Sequence, residues 1–204
     1  MSDFVEKLRL KEMADENLYF ARRDRELIAD MHQRRVYRLR ALRSGGQTGV
    51  DRGALDAALT SAADTGLLVR GWCPRGRLAE DGVIDGRYPL TETPGADPAQ
   101  RTAWNVRDAD ATLILHRGPL SGGTAATAAE ARRLGRPLLA LDPAVDDACE
   151  RIGAWLRRHL IGELNVAGPR ESQAPGIAGQ TRVLLGRLLA DVLSASGTNR
   201  AQRD

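Results

Sequence analysis

The sequence is poor in aromatic residues, almost without lysine, and has no long apolar run. Only 4% of its 204 residues are Phe, Trp or Tyr. A core must therefore be built from Ala, Leu, Val and Ile, and the 42% hydrophobic content is enough to bury one. The same scarcity removes the stacking platform that single-stranded nucleic acid needs. Lys occurs only at Lys7 and Lys11, and every other basic residue is Arg. With the heavy use of Ala, this points to a GC-rich genome. The net charge of +3 and the pI near 9.2 therefore argue little for an acidic partner, and nucleic acid is not an expected one. No stretch approaches the roughly 20 apolar residues that span a bilayer. The charged opening MSDFVEKLRLKE lacks the apolar centre of a signal peptide, so the expectation is a cytoplasmic protein with no membrane partner. Cys73 and Cys149 are far apart and form no C-x-x-C pair, so neither a zinc site nor a disulfide framework is signalled.

What is present falls into two textures. Residues 1–35 contain no Gly and no Pro and are dense in interleaved charge, as in Glu12, Glu16, Arg22, Arg23, Asp24, Arg25 and Glu26. Phe4 and Leu8, and Leu27, Ile28 and Met31, follow helical spacing. This part reads as a charged helical extension, either packed on its own domain or serving as an arm for a partner or a homo-oligomer. Residues 36–194 alternate short apolar runs with Ala-rich helical stretches. Strands are expected at 36–43, 67–72, 111–116, 137–141 and 163–167. Helices are expected at 50–63, 101–108, 123–134, 145–159 and 176–193. Such alternation predicts a doubly wound, mainly parallel α/β sheet with helices on both faces. The Pro- and Gly-rich stretch 73–98 is long for a connection and reads as a functional loop. Residues 195–204 read as a disordered tail.

In an open parallel sheet, ligands bind beyond the carboxyl ends of the strands, and four loops there stand out. The first runs Ser44, Gly45, Gly46, Gln47, Thr48, Gly49, Val50, Asp51, Arg52 between a strand and a helix. Glycines allow close backbone approach, the helix start favours an anion, and the hydroxyls and Arg52 add donors. Two nucleotide-binding patterns fail here. No Lys precedes the Ser or Thr as a Walker A loop requires. The dinucleotide fingerprint lacks its first Gly, because Ser44 holds that place. The second loop, Ser121-Gly122-Gly123-Thr124, again opens a helix after a strand. The third, Gly168-Pro169-Arg170-Glu171-Ser172, offers Arg170 to a phosphate and Glu171 to a sugar hydroxyl or as a base. The fourth, Cys73-Pro74-Arg75-Gly76, offers Arg75 as another anion contact. Arg101, Asn105 and Asp108 share one face of a short helix, and His116 ends a strand.

The run SGGQTGVDRGALD resembles the signature of the molybdenum-carrier proteins related to the YpsA branch of the SLOG superfamily. The resemblance continues through Gly71-Trp72-Cys73-Pro74-Arg75-Gly76, Ala79-Glu80-Asp81-Gly82, Tyr88-Pro89-Leu90, Glu92-Thr93, Arg101, Asn105-Val106 and Asp108. It runs on through Asp110-Ala111-Thr112, Gly122-Gly123-Thr124 and Thr127 to Gly168-Pro169-Arg170-Glu171-Ser172, covering about residues 41–193. It implies a Rossmann-like fold and a phosphate-bearing, nucleotide-derived ligand, with molybdenum cofactor as the cargo that the carrier name suggests. That cofactor brings its own sulfurs and needs no soft ligand from the protein. A related branch hydrolyses the N-glycosidic bond of nucleoside monophosphates with a Glu three residues after the motif's Thr. Here Thr127 stands in that place, with Glu130 one turn later. Two readings follow: a carrier or sensor that binds the ligand, or a phosphoribohydrolase in which Glu171 supplies the carboxylate for the oxocarbenium-like transition state.

Overall fold

The computed structural model describes Glu16, residues 19–20 and 22–24, and residues 39–194. The chain divides into two compact units, residues 1–36 and 37–204. In the first, the described residues are helical. Tyr19 and Phe20 are exposed, their rings edge-on at 5.7 Å, and Arg23 donates to the Tyr19 hydroxyl at 3.2 Å. Phe4, Leu8, Leu27, Ile28 and Met31 lie outside the described residues, as do the start of the strand expected from Val36 and the tail after residue 194.

The second unit is built around five parallel strands: β1 (Ala41–Arg43), β2 (Leu68–Arg70), β7 (Ala111–Leu115), β8 (Leu138–Leu141) and β9 (Glu163–Ala167). Their spatial order is β2-β1-β9-β7-β8. Leu42 is level with Val69 and Leu164, and Leu113 with Val166 and Leu139. All five residues of β7 are buried, as its uninterrupted apolar run requires of a strand covered on both faces. Helices α1 (Val50–Thr65) and α5 (Ile177–Ser194) pack along each other, with α4 (Ala148–Arg158) against α5; α2 (Pro98–Arg107) and α3 (Gly122–Arg133) form a second pair. The main core joins Leu42, Leu113, Leu115, Leu164 and Val166 of the sheet to Ala54, Ile152, Leu156, Leu185 and Leu189 of the helices. This is a Rossmann-like α/β domain.

The strand order has one notable property. Counted from β9 instead of β1, it reads 3-2-1-4-5, the order of a doubly wound sheet. The strand that belongs first comes last in the chain and sits at the centre. The crevice of such a sheet lies where the order reverses, here beyond the carboxyl ends of β9 and β7, at Ala167 and Leu115.

The stretch read as one long loop, 73–98, contains short pairings. Beyond β2, Trp72–Cys73 (β3) pairs in parallel with Thr91–Glu92 (β6), and Leu78–Ala79 (β4) pairs antiparallel with Gly82–Val83 (β5). A small second core of Leu55, Cys73, Ile84, Tyr88 and Leu90 lies beneath it. Arg77 organises the segment by donating to the carbonyls of Ile84, Asp85, Tyr88 and Leu90 at 2.9–3.1 Å.

Candidate ligand-binding site

A cavity of about 660 Å³ opens at the crevice position, where the loops after β1, β7 and β9 meet α2. Close approach of these loops depends on glycine. A Cβ at Gly45 would sit 1.6 Å from Arg101 Nη1, so the missing side chain is what admits Arg101 to the site. A Cβ at Gly49, whose φ is +77°, would sit 2.4 Å from the Pro169 carbonyl, and Val50 N–H donates to that carbonyl at 3.3 Å.

The floor of the cavity carries Asp51 and Arg101. Asp51 lies in the first turn of α1 with a side chain only 4% exposed, and its Oδ2 accepts from Arg101 Nη1 at 3.0 Å and from Gln47 N–H at 3.2 Å. Burial pushes the Asp51 carboxyl above the usual aspartate range against the pull of the Arg101 guanidinium. Arg101 Nε is buried and has no hydrogen-bond partner. One wall is the start of α3. Its N-cap residue, Ser121, makes no side-chain capping bond, and Gly122, Gly123, Thr124 and Thr127 line the cavity behind it. Such an uncapped helix start presents free N–H groups and the positive end of the helix dipole. Thr127 spends its hydroxyl proton on the Gly123 carbonyl, at 2.8 Å. Glu130 borders the same wall and is held below the usual glutamate range by its hydrogen bonds from Arg133. The loop after β9 lines the cavity with Ala167, Gly168, Arg170 and Gln173, and the loop after β1 adds Gln47.

Of the residues singled out in the sequence, Gln47, Asp51, Arg101, Gly122, Gly123, Thr124, Gly168 and Arg170 line this cavity. The others are placed differently. Ser44 is fully buried and donates to the Val166 carbonyl at 2.8 Å, tying the first loop to β9. Gly46 faces Leu90, 2.5 Å from where its Cβ would be, so its smallness serves packing. Arg52 is committed to a bidentate pair with Asp81, both bonds 3.0 Å, and to the Gly46 carbonyl at 2.9 Å. Arg75 is exposed in the turn after β3. Thr48 and Ser172 lie beside the rim, both bonded to Glu80.

Glu171 is engaged elsewhere. Its carboxylate accepts the N–H groups of Gly176 and Ala178, the latter at 3.1 Å, and so caps the start of α5. The first N–H groups of a helix have no partner within it, and an acid there also meets the helix dipole favourably. Glu171 thus fastens the start of α5 and is not among the residues lining the cavity. Asn105 and Asp108 are likewise structural: Asn105 exchanges two bonds with the Trp72 backbone, at 2.8 and 2.9 Å, and Asp108 accepts from the Trp72 indole at 2.7 Å. His116 turns its Nδ1 to the Gly118 carbonyl at 2.7 Å. Cys73 is buried, and burial raises its thiol above the ordinary range, away from reactivity.

Sequence reasoning left Thr127, Glu130, Gln173 and Glu80 without an assigned role in the site. The helical phase of α3 was signal enough for the first two, since Gly123, Thr127 and Glu130 follow i, i+4, i+7 spacing. Nothing local marks Gln173 or Glu80, whose positions depend on how distant loops meet.

Among the described residues, no group of three or more His, Cys, Asp or Glu side chains is gathered to hold a metal ion, and no helix is long and apolar enough to cross a membrane.

No curated protein matches the chain. Among solved structures, the crystal structure of the "Putative molybdenum carrier protein" from Syntrophus aciditrophicus SB is 41% identical, with a TM-score of 0.71 over 76% of this chain and 97% of that one. The model of the circularly permutated YpsA SLOG family matches residues 42–189. That description agrees with a sheet whose first strand by position is its last by sequence. The chain belongs to the circularly permutated YpsA SLOG family.

Proposed function

We propose that the cavity binds a phosphate-bearing, nucleotide-derived small molecule, and that the protein acts as its carrier or sensor. The observation that carries this reading is the uncapped start of α3, which opens into the cavity where a doubly wound sheet places its ligands. A phosphoryl group would lie against the Gly122, Gly123 and Thr124 end, with Arg170 across from it. The rest of the molecule would lie over Asp51 and Arg101. The name of the Syntrophus relative suggests molybdenum cofactor as the cargo. The residues present fit the phosphate and ring portions of such a molecule. The metal would arrive with the sulfur ligands of its own pterin.

The test uses Gly123. A Cβ there would meet nothing within 4 Å, so Gly123→Val fills ligand space without displacing protein atoms. We expect Gly123→Val to keep the thermal midpoint of the parent and to lose binding of nucleoside monophosphates by calorimetry by on the order of tenfold or more. Full affinity in a folded Gly123→Val protein removes the cradle assignment.

A phosphoribohydrolase reading rests on Glu130, which lines the cavity with its carboxylate bonded to Arg133, whereas the Asp51 carboxylate is buried against Arg101 and Glu171 caps α5. It predicts release of free base from a nucleoside monophosphate, abolished in Glu130→Gln. Absence of base release by the parent protein rejects it and leaves the carrier reading in place.

A further inference from the structure

The turn of the β4–β5 hairpin places an acid of the protein where a second oxyanion would fit. Glu80 reaches across to two of the glycine-rich loops. Its Oε1 accepts from the Thr48 hydroxyl and, at 3.3 Å, from Ser172 N–H. Its Oε2 accepts from the Ser172 hydroxyl at 2.6 Å and lies 3.9 Å from Arg170 Nη1. Thr48 Oγ1 in turn accepts Glu171 N–H at 3.2 Å, which orients its own proton toward the carboxylate. Two hydroxyls, a backbone N–H and a guanidinium from separate segments form the donor set by which proteins hold phosphoryl oxygens. Inward of these donors, Arg170 and Gln47 also line the cavity, and Gln47 Oε1 accepts both Thr48 N–H, at 3.0 Å, and Glu80 N–H, at 2.9 Å. The cluster is thus an annex of the cavity rim.

The element that brings Glu80 there is a short, exposed hairpin. Its two strands have two residues each, and Leu78 and Val83, cross-strand partners, are 55% and 70% exposed. A two-stranded hairpin of that size has little stability of its own. Arg77 holds the base of the hairpin and the Arg52–Asp81 pair holds its turn, neither using the Glu80 side chain, so the carboxylate can swing away while the hairpin stays in place.

We propose that Thr48, Arg170 and Ser172 form a second phosphoryl subsite, that Glu80 is its resident anion, and that a ligand with more than one phosphoryl group displaces Glu80 on binding. This rests on the function proposed above and narrows the ligand class to nucleotides carrying a diphosphate or two separated phosphates. A carboxylate offers two oxygens to these donors, whereas a phosphoryl group offers three and a larger charge.

Inorganic phosphate and pyrophosphate, titrated into the full chain and followed by backbone amide NMR, test the subsite. When a competent state is scarce, apparent affinity falls by its fraction, so freeing the subsite should tighten pyrophosphate binding on the order of tenfold in Glu80→Ala. Glu80→Gln, which keeps the hydrogen-bonding shape and drops the charge, should move in the same direction. The amides of Glu171 and Ser172 should shift with pyrophosphate, and adding Ser172→Ala to Glu80→Ala should cancel the gain. Gly123→Val should abolish phosphate-induced shifts at Gly122–Thr124 while leaving those at Ser172, so failure at the main cavity and failure at the annex show up separately. Pyrophosphate affinity that is unchanged or weaker in both Glu80 variants overturns the proposal. So do shifts confined to Gly122–Thr124. Absence of binding by every protein overturns the function on which it rests, and the subsite with it.

Discussion

At the scale of single residues, the cavity floor is informative because it is energetically awkward. Asp51 is taken out of water beside Arg101, and burial outweighs the guanidinium's pull on its proton. A buried pair of this kind contributes little to stability, yet breaking it is costly, since the survivor is left charged and unpaired. Asp51→Ala should therefore destabilise the protein to urea by ~3–5 kcal/mol, with Asp51→Ala/Arg101→Leu recovering part of the loss. The pH dependence follows from the raised carboxyl. Between the ordinary aspartate range and the higher folded value, the folded state holds the proton that the unfolded chain has released. The Asp51 contribution is thus fully present below that window and is lost as pH rises through it. Unfolding free energies of the parent measured against pH should show this slope, and Asp51→Asn should lack it. Glu80 has the opposite sign. Hydrogen bonds from Ser172 and Thr48 hold its carboxyl below the usual range, so its contribution persists above the unfolded value and disappears as pH falls through the folded one. An NMR titration of the Glu80 carboxyl with a midpoint at or above that of a free glutamate would contradict the hydrogen bonds described.

At the scale of elements, most of the fold was legible in the pattern of residues. The apolar run at 111–115, the Ala-rich stretch from Val50 and the strand at Glu163–Ala167 are marked by period and punctuation alone, because each is covered locally by what the sequence supplies. Ends and breaks were less visible. The strand expected over 67–72 divides at Gly71, where a Cβ would stand 1.9 Å from the Ser44 carbonyl, a contact made by a residue far away in sequence. The same difficulty hid the role of Glu171. Its place in a Gly-rich motif after a strand gave no sign that its carboxylate turns forward to the N–H groups of Gly176 and Ala178. Glu171→Ala should lower stability by ~0.5–2 kcal/mol, as loss of a helix cap does, with mononucleotide affinity unaltered. A collapse of ligand binding at unchanged stability would return Glu171 to the site.

At the scale of the whole molecule, the motifs pointed to a doubly wound sheet, but nothing in a linear reading placed the last strand in its middle. Strand order is decided by long-range pairing, and β9 pairs on both sides with strands made much earlier. The sheet itself is indifferent to where the chain is cut. A permutant opened between His159 and Leu160, with its natural ends joined by a flexible linker, should give the parent's circular dichroism and mononucleotide affinity. The cut falls at exposed Leu160, outside every element. Failure of that protein to fold would show that the junction after α4 is itself required.

The central position of β9 also bears on how the protein is made. β1, β2, β7 and β8 are all made before β9. The β1–β2 and β7–β8 pairs join into one sheet only through β9, and until it arrives their inner edges have no partner. Unpaired edges of this kind are where nascent chains aggregate. The loop carrying Arg170 and Ser172 follows β9 directly, so the cavity gains that part of its lining only once β9 and this loop have been made.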